Sequence, residues 1–388
     1  MLRNLKILDS SRVLAGPLCA QTLSSLGAHV IKVEPPSGDL TRRWKGSEGG
    51  VEAYFGAVNR VKESVLLDLK GTSGRSRLRG LIKECDVVVH NYLPSVASKL
   101  GLDYSSCAAV NPKIIHASVS GYGADVNEPG YDIIASAEYG LTSCTGDVAP
   151  GVKPGVALVD SMAGLNLACG ILSKVVERGE GRMRDGRVHT SLAKTCVAGL
   201  ANVGHSSLNG GERKERYGNA HESIVPYQAF ECANGWMVIG VGTDAQFEEF
   251  MGLIHLEVDP KWRGNEGRVK DREALCGAIE AVMAANTVEE VRVASAQLTS
   301  APALTPFSSQ WIEKFSGAKF ARGKVREVNE ALSCPKISDM VQDMEDGEGN
   351  TFRAIGSPIE TDYSWGAGTF PPTLGQHTDS VMREFNIE

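Results

Sequence analysis

Leu5-Lys6-Ile7-Leu8-Asp9, then Leu14-Ala15-Gly16-Pro17 with a helical pattern over 18–26, then Ala28-His29-Val30-Ile31-Lys32-Val33-Glu34: this opening of the 388-residue chain decides the fold. Both apolar runs have strand length. The residues between them recur at helical spacing, and Gly27 stops the helix. Pro17 suits a first helical turn, where a missing N–H costs little. A strand, a helix and a strand with short connections form a right-handed crossover between parallel strands. The alternation continues, with strands expected at 64–70, 86–92 and 114–119 and helices at 74–84 and 95–100. It predicts an α/β fold built on a Rossmann-like, doubly wound parallel sheet.

Sheets of this kind bind ligands beyond the carboxyl ends of their strands. Here those ends run into residues 9–17, 34–44, 68–70, 91–94 and 120–123, which supply glycines, amides and cations suited to a phosphate-bearing ligand. No G-x-G-x-x-G follows the first strand and no Walker lysine loop is present. A nicotinamide dehydrogenase therefore loses its main support.

A second decisive stretch is Gly155-Val156-Ala157-Leu158-Val159-Asp160-Ser161-Met162-Ala163-Gly164. It reads as a strand-like apolar run ending in one carboxylate and feeding a helix over 163–177. Taken alone, Asp160 reads as an ordinary helix N-cap. It also stands where a helix terminus stabilises negative charge, as a reactive carboxylate needs. Beyond it, 188–192 is strand-like and 205–220 is polar, the first credible boundary. Asn234-Gly235 between apolar runs at 227–232 and 236–240 signals a hairpin, and 244–300 reads as mostly helical. The expected organisation is a large domain over 1–205, completed by about 326–388, and a smaller α+β domain over 222–325.

Composition is that of an ordinary globular chain, 42% hydrophobic and 22% charged, and the net charge of -7 gives no case for nucleic-acid or membrane-surface binding. No apolar run reaches the roughly 20 residues of a membrane span. Nine scattered cysteines show no C-x-x-C and no zinc-like spacing, so reduced thiols, a cytoplasmic location and no metal or redox cofactor are expected. The first residues already read as strand, with no targeting peptide before them. A mitochondrial form would need an upstream extension.

Several stretches together resemble the class III CoA-transferase family (CaiB/BaiF type), which includes formyl-CoA transferase, carnitine CoA-transferase and α-methylacyl-CoA racemase. They are residues 5–17, 26–34, 38–42, Asn59-Arg60, 67–70, 86–92, 100–104, 111–115, 120–123, 130–132, the Asp160 segment and 371–378. The resemblance implies that Asp160 is a nucleophile that attacks an acyl-CoA thioester, passing through an anhydride and then an aspartyl-CoA thioester. An ionised carboxylate at neutral pH is then required. Glycines near 140, 155 and 164 are candidates to let amides approach an oxyanion. The resemblance further implies CoA contacts at Leu14 and Ala15, at Leu67, Asp68, Leu69 and Lys70, at Asn91, Tyr92 and Leu93, and at Lys99, where relatives often carry arginine. Tyr131 and Asp132 match a pair flanking the thioester.

Racemases of the family carry histidine where this chain has Tyr131. Tyrosine, with a pKa near 10, is a poor base beside a thioester, so transfer is favoured over 2-methylacyl-CoA racemization. Residues 217–230 resemble succinate–hydroxymethylglutarate CoA-transferase, which points to a dicarboxylic substrate such as succinate, with His221 near the acyl group. Arg42, Arg43 and Trp44 are candidates to recognise a distal carboxylate or cover the site. An acyl-CoA, a small carboxylic acid and a second copy of the chain, as an intertwined homodimer, are the expected partners. A catalytically silent CoA-binding protein is the reading from another class, against which intact Asp160 argues.

Overall fold

The computed structural model describes residues 2–44, 51–148, 151–210, 216–285, 315, 317–360 and 369–388. The chain divides into two compact units, 1–143, 152–213 and 335–388 in the first and 144–151 and 214–334 in the second.

The first unit is built in the order β1 (Lys6–Asp9), α1 (Ala15–Ser25), β2 (His29–Glu34), α2 (Ala53–Asn59), β3 (Glu63–Leu66), α3 (Thr72–Glu84), β4 (Val87–His90), α4 (Pro94–Leu100), α5 (Tyr104–Val110), β5 (Ile115–Ser120), α6 (Asp132–Glu138), α7 (Leu141–Cys144), α8 (Leu158–Gly179), β6 (Arg187–Ser191), α9 (Leu192–Gly199) and α10 (Ala201–Leu208). The six strands form one sheet in the order β3-β2-β1-β4-β5-β6, every neighbouring pair parallel. This is the Rossmann order, in which the sheet reverses direction between β1 and β4 and leaves a crevice between the loops that follow them.

Both faces are covered, as a parallel sheet requires. Ile7, Val87 and Val89 turn to one face with α1 and α8, while Leu8, Val88 and Val65 turn to the other with α3. The strands are shorter than their sequence pattern. At 67–70 the chain leaves the sheet, because Asp68 Oδ1 accepts from Lys70 N (3.0 Å) and Asp68 O from Gly71 N (3.1 Å). Leu67 and Leu69 stay buried without being strand, which reproduces the period-2 signal. α1 starts three residues earlier than expected, with Pro17 as its third residue.

The apolar run before Asp160 is not a strand. α8 begins at Leu158, and Asp160 is its third residue. Among the described residues, this 22-residue helix is long and apolar enough to cross a bilayer by length and composition, where the sequence pattern shows no such run. In this chain it packs along α1, β5, β6 and α9. Gly164 sets the distance to α1: a Cβ there would stand 2.6 Å from Ala15 O. Helix propensity alone favours alanine by about 1 kcal/mol, whereas forcing backbone apart costs about 1–3 kcal/mol. Gly164→Ala is therefore expected to lower the urea-unfolding free energy, by about 1 kcal/mol net; a gain in stability would show that α1 yields freely.

In the second unit, β7 (Tyr227–Cys232) and β8 (Gly235–Gly240) form the expected antiparallel hairpin, with the two-residue loop at Ala233-Asn234. Helices α11 (Asp244–Leu253), α12 (Asn265–Lys270) and α13 (Arg272–Ala284) follow, and β9 (Ala321–Lys324) adds a third strand beside β8. The expected helical pattern over 286–300 lies outside the described residues. After α14 (Val328–Leu332) the chain returns to the first unit as the hairpin β10 (Val341–Glu345) and β11 (Thr351–Ile355), and ends in α15 (Thr378–Glu384). None of the nine cysteines is joined in a disulfide.

Candidate active site

The crevice between the loops after β1 and β4 is stitched by one side chain. Asn91 Oδ1 accepts from Arg12 N (2.9 Å), and Asn91 Nδ2 donates to Arg12 O (2.6 Å). The Arg12 guanidinium lies over the Tyr92 ring at 4.8 Å. The next residue, Val13, holds φ +69, a costly backbone for a β-branched side chain. It is held there by Asp39, whose carboxylate accepts from Val13 N at 3.3 Å. Asp39 also accepts from Thr41 N (3.0 Å) and pairs with the buried Lys32 ammonium at 3.2 Å. Burial alone would raise the Asp39 carboxyl; Lys32 and the Thr41 hydrogen bonds bring it below the usual range. Leu14 caps α1 and Ala15 begins it, so this scaffold sets where both stand.

Under the loop, Lys62 Nζ pairs with Asp9 at 2.7 Å and donates to Pro17 O and Asn59 Oδ1. Lys32 Nζ donates to Ser11 O at 3.0 Å. Arg42 makes a two-bond fork onto Glu34, both bonds at 2.7 Å, and lies 3.6 Å over the Phe55 ring. It is committed to the fold rather than offered to a substrate. Arg43 and Trp44 are exposed, with Trp44 edge-on to Tyr54 at 5.0 Å.

Asp160 does not cap α8. The cap position is Ala157, which has no side-chain acceptor. Asp132 does that work from the head of α6: its Oδ1 accepts from Val159 N (2.8 Å) and from Asp160 N (3.2 Å). Asp132 is only 6% exposed, and its Oδ2 has no hydrogen-bond partner among the described residues. Tyr131, beside it, is exposed. Burial, and then the Asp132 charge, push the Asp160 carboxyl up to about 7. The sequence reading expects a fully ionised carboxylate at neutral pH; burial and then the Asp132 charge hold this one near its midpoint there, and the helix amides expected to steady it are taken by Asp132. Burial, then Asp160, Asp132 and Asp39, raise the Tyr54 phenol, which places Tyr54 in the same electrostatic neighbourhood.

The raised carboxyl has a consequence for stability. The folded chain keeps the Asp160 proton up to about pH 7, and an unfolded chain only to about 3.8. Between those values the folded state holds the extra proton, so stability falls as pH rises through the window, by up to about 1.4 kcal/mol per pH unit. Asp160→Asn removes this loss. Its urea midpoint should match wild type near pH 4 and exceed it at pH 8; equal midpoints at pH 8 would show that the carboxyl is not raised.

The structure thus brings Leu14, Ala15, Asn91 and Tyr92 to one crevice. It places Ala15 against α8 one turn below Asp160, through Gly164. Leu93 caps α4 beside Tyr92. Asp68 and Lys70 are exposed after β3, whereas the Leu67 and Leu69 side chains are in the core, leaving only backbone to meet a ligand. Lys99 is exposed in the last turn of α4. His221 lies in the second unit, where its Nδ1 accepts from Ser223 N (3.1 Å) and its ring meets Tyr227 edge-on. Gly164 packs helices rather than approaching an oxyanion. Asp39 and Tyr54 escaped the sequence reading as site residues. Asp39 lies inside the quoted 38–42 stretch, while nothing local marks Tyr54.

Among the described residues, His29, Glu63 and Glu384 have ligand atoms within 4.8 Å of one another. His29 Nε2 and Glu63 Oε2 already satisfy each other at 2.6 Å. A cavity of about 1000 Å³ borders both residues. They begin β2 and β3, so cavity and cluster lie at the rim opposite the crevice.

Comparison with known proteins agrees with this geometry. The model of CoA-transferase family III matches residues 2–378. An acyl-CoA transferase of Fusarium pseudograminearum is 36% identical, covering 100% of this chain and 85% of that protein. The succinyl-CoA:glutarate CoA-transferase of Mus musculus is 34% identical over 99% of this chain and 86% of its own length. The succinate–glutarate CoA-transferase of Agrobacterium fabrum is 30% identical, covering 99% and 95%. A CaiB/BaiF family protein from Brucella suis superposes with a TM-score of 0.80 at 29% identity, covering 99% of each chain. With sheet order, crevice and whole-length similarity in agreement, the chain belongs to CoA-transferase family III.

Proposed function

We propose that this CoA-transferase moves CoA from a dicarboxylyl-CoA such as succinyl-CoA to a free carboxylic acid, with Asp160 carrying the acyl group. The observation that carries the reading is the place of Asp160: a carboxylate in the first turn of α8, next to the α1 start that borders the crevice. The names of the mouse and Agrobacterium relatives support a dicarboxylic donor.

In the proposed sequence the Asp160 oxygen bonds to the thioester carbonyl carbon. The C–S bond breaks, giving a mixed anhydride and CoA thiolate. The thiolate attacks the Asp160 carbonyl, releasing the donor acid and leaving an aspartyl-CoA thioester. The acceptor carboxylate then attacks that thioester, forming a second anhydride and thiolate. The thiolate takes the acceptor acyl group and regenerates the Asp160 carboxylate. No step needs an external proton, oxidant or metal.

CoA contacts from Leu14, Ala15, Asn91, Tyr92, Leu93 and Lys70, with Lys99 further along α4, are part of the proposal. So are Tyr131 as a CoA-side residue flanking the thioester, and Trp44, Arg43 and His221 as acyl-side residues. Exposed apolar side chains on the first unit support a homodimer, among them Ile133 and Ile134 on α6, Leu165 on α8 and Val197 on α9; light scattering should return twice the chain mass, and the single-chain mass would refute it. The central test is incubation with succinyl-CoA and a panel of carboxylates. Acyl exchange with an intact-mass adduct supports the reading. Exchange of the α-hydrogen for solvent deuterium without acyl transfer would overturn it in favour of racemization.

A further inference from the structure

We propose that Asp132 is a positioning residue for this reaction: by occupying the amides at the head of α8 it denies them to the Asp160 carboxylate and sets a second negative charge beside it, keeping Asp160 the stronger nucleophile. The inference rests on the reading of Asp160 given above and goes beyond it.

A residue at the third position of a helix normally turns its carboxylate back to the free amides of the first turn. Such hydrogen bonds stabilise the anion and make it less reactive. In α8 that arrangement is blocked. The amides of Val159 and Asp160 both point to Asp132 Oδ1, at 2.8 and 3.2 Å. Both bonds are charge-assisted and the one from Val159 N is buried, so the match is not easily exchanged. The remaining oxygen, Asp132 Oδ2, is buried with no hydrogen-bond partner among the described residues. Nature seldom leaves a buried carboxylate oxygen unpaired without a use for its charge.

The surroundings of Asp160 isolate this pair. α1, which packs along α8, carries no charged residue. Tyr54 on α2 also senses Asp160. α6 also carries Glu138 at its far end, and α9 carries Lys194, which bears on His189 of β6 instead. The remaining charged or titratable groups on the strands under α8 are His116 of β5 and Arg187 of β6. The charge that acts on Asp160 is that of Asp132. Asp132 acts through the helix terminus and through its field.

The test separates this role from structural support. Asp132→Asn keeps the shape and the Oδ1 acceptor for both amides but removes the charge. In ¹³C-aspartate-labelled protein, the Asp160 carboxyl signal, identified by its loss in Asp160→Asn, should titrate near pH 7 in wild type. In Asp132→Asn its midpoint should fall by at least about one pH unit, roughly a tenfold change in the ionised fraction on the acid side. The acidic limb of kcat/KM should move down with it, and kcat at pH 8 should drop while KM for the acyl-CoA holds. Asp132→Glu, which keeps the charge, should restore a high midpoint and serves if the asparagine variant does not fold. An unmoved midpoint overturns the proposal. Full transfer activity in Asp160→Asn would instead overturn the nucleophile reading, and the titration would still decide whether Asp132 governs Asp160.

Discussion

Asp160→Asn is expected to lower kcat for acyl transfer by about 10⁴-fold or more, the scale on which enzymes lose a covalent nucleophile. The amide has the shape of the carboxylate and removes a half-buried charge, so the folded state is kept and even stabilised above pH 4. Loss of activity then reports chemistry rather than unfolding. An isotope makes the same point without a mutation. If the acceptor carboxylate carries ¹⁸O, one labelled oxygen stays on Asp160 after its acyl group departs to CoA. In the next turnover that oxygen bridges the anhydride and leaves with the donor acid. Label from the acceptor should therefore appear in Asp160 by peptide mass and in released succinate after a second turnover. Direct exchange without a covalent enzyme intermediate leaves Asp160 unlabelled, and that result would end the case for it.

Much of this was legible in the chain. The opening strand–helix–strand, the later apolar runs and the hairpin at 227–240 are local patterns, and local patterns carry over because propensity and burial agree. The boundaries moved where a side chain intervenes. Asp68 turns the chain out of the sheet just before Leu69, yet Leu67 and Leu69 remain buried and mimic a strand. Residues 155–159 show the reverse: apolar residues before a carboxylate look like a strand end, while Leu158 and Val159 already belong to a helix. What made that unreadable is the cap. α8 has no acceptor at Ala157, and the one it uses comes from Asp132, 27 residues upstream from Val159. No window of local sequence contains both partners. Arg42 differs: its exposed-looking basic run hides a fork onto Glu34 only eight residues back, a pairing that a loop reading does not show, while Tyr54 reaches the Asp160 neighbourhood only through the fold. The sheet gives a ligand crevice at once; the electrostatics inside it depend on pairs far apart in the chain.

The largest stability effect is expected beneath that crevice, at Lys62. Its ammonium and the Asp9 carboxylate are both wholly buried, 2.7 Å apart. Replacing such a pair by apolar groups is often neutral, but removing one partner strands the other and costs about 3–5 kcal/mol. Lys62→Met keeps the bulk and leaves Asp9 with Ser11 and the nearby Lys32. Burial would raise the Asp9 carboxyl; Lys62 and then Lys32 hold it below the usual range. With Lys62 gone, most of that support is lost, and so are the donors to Pro17 O and Asn59 Oδ1. Urea unfolding of Lys62→Met should fall by about 3–5 kcal/mol. The double variant Asp9→Asn/Lys62→Met should recover more than half, because no unpaired charge remains and the amide introduced in place of Asp9 still offers an acceptor to Ser11. A loss below about 1 kcal/mol in the single variant would show that the pair is dispensable. The effect reaches the site because the pair lies under both ends of the β1–α1 loop: Asp9 ends β1, Lys62 holds Pro17 O, and Lys32 holds Ser11 O between them. That loop carries Val13 at φ +69, a conformation worth about 1–3 kcal/mol of strain. A strained turn persists only while its surroundings over-determine it, so loosening Lys62 lets Val13 relax and moves Leu14 and Ala15. KM for the acyl-CoA should rise in Lys62→Met at temperatures where the variant is still folded, whereas a purely global role would change stability and leave KM alone.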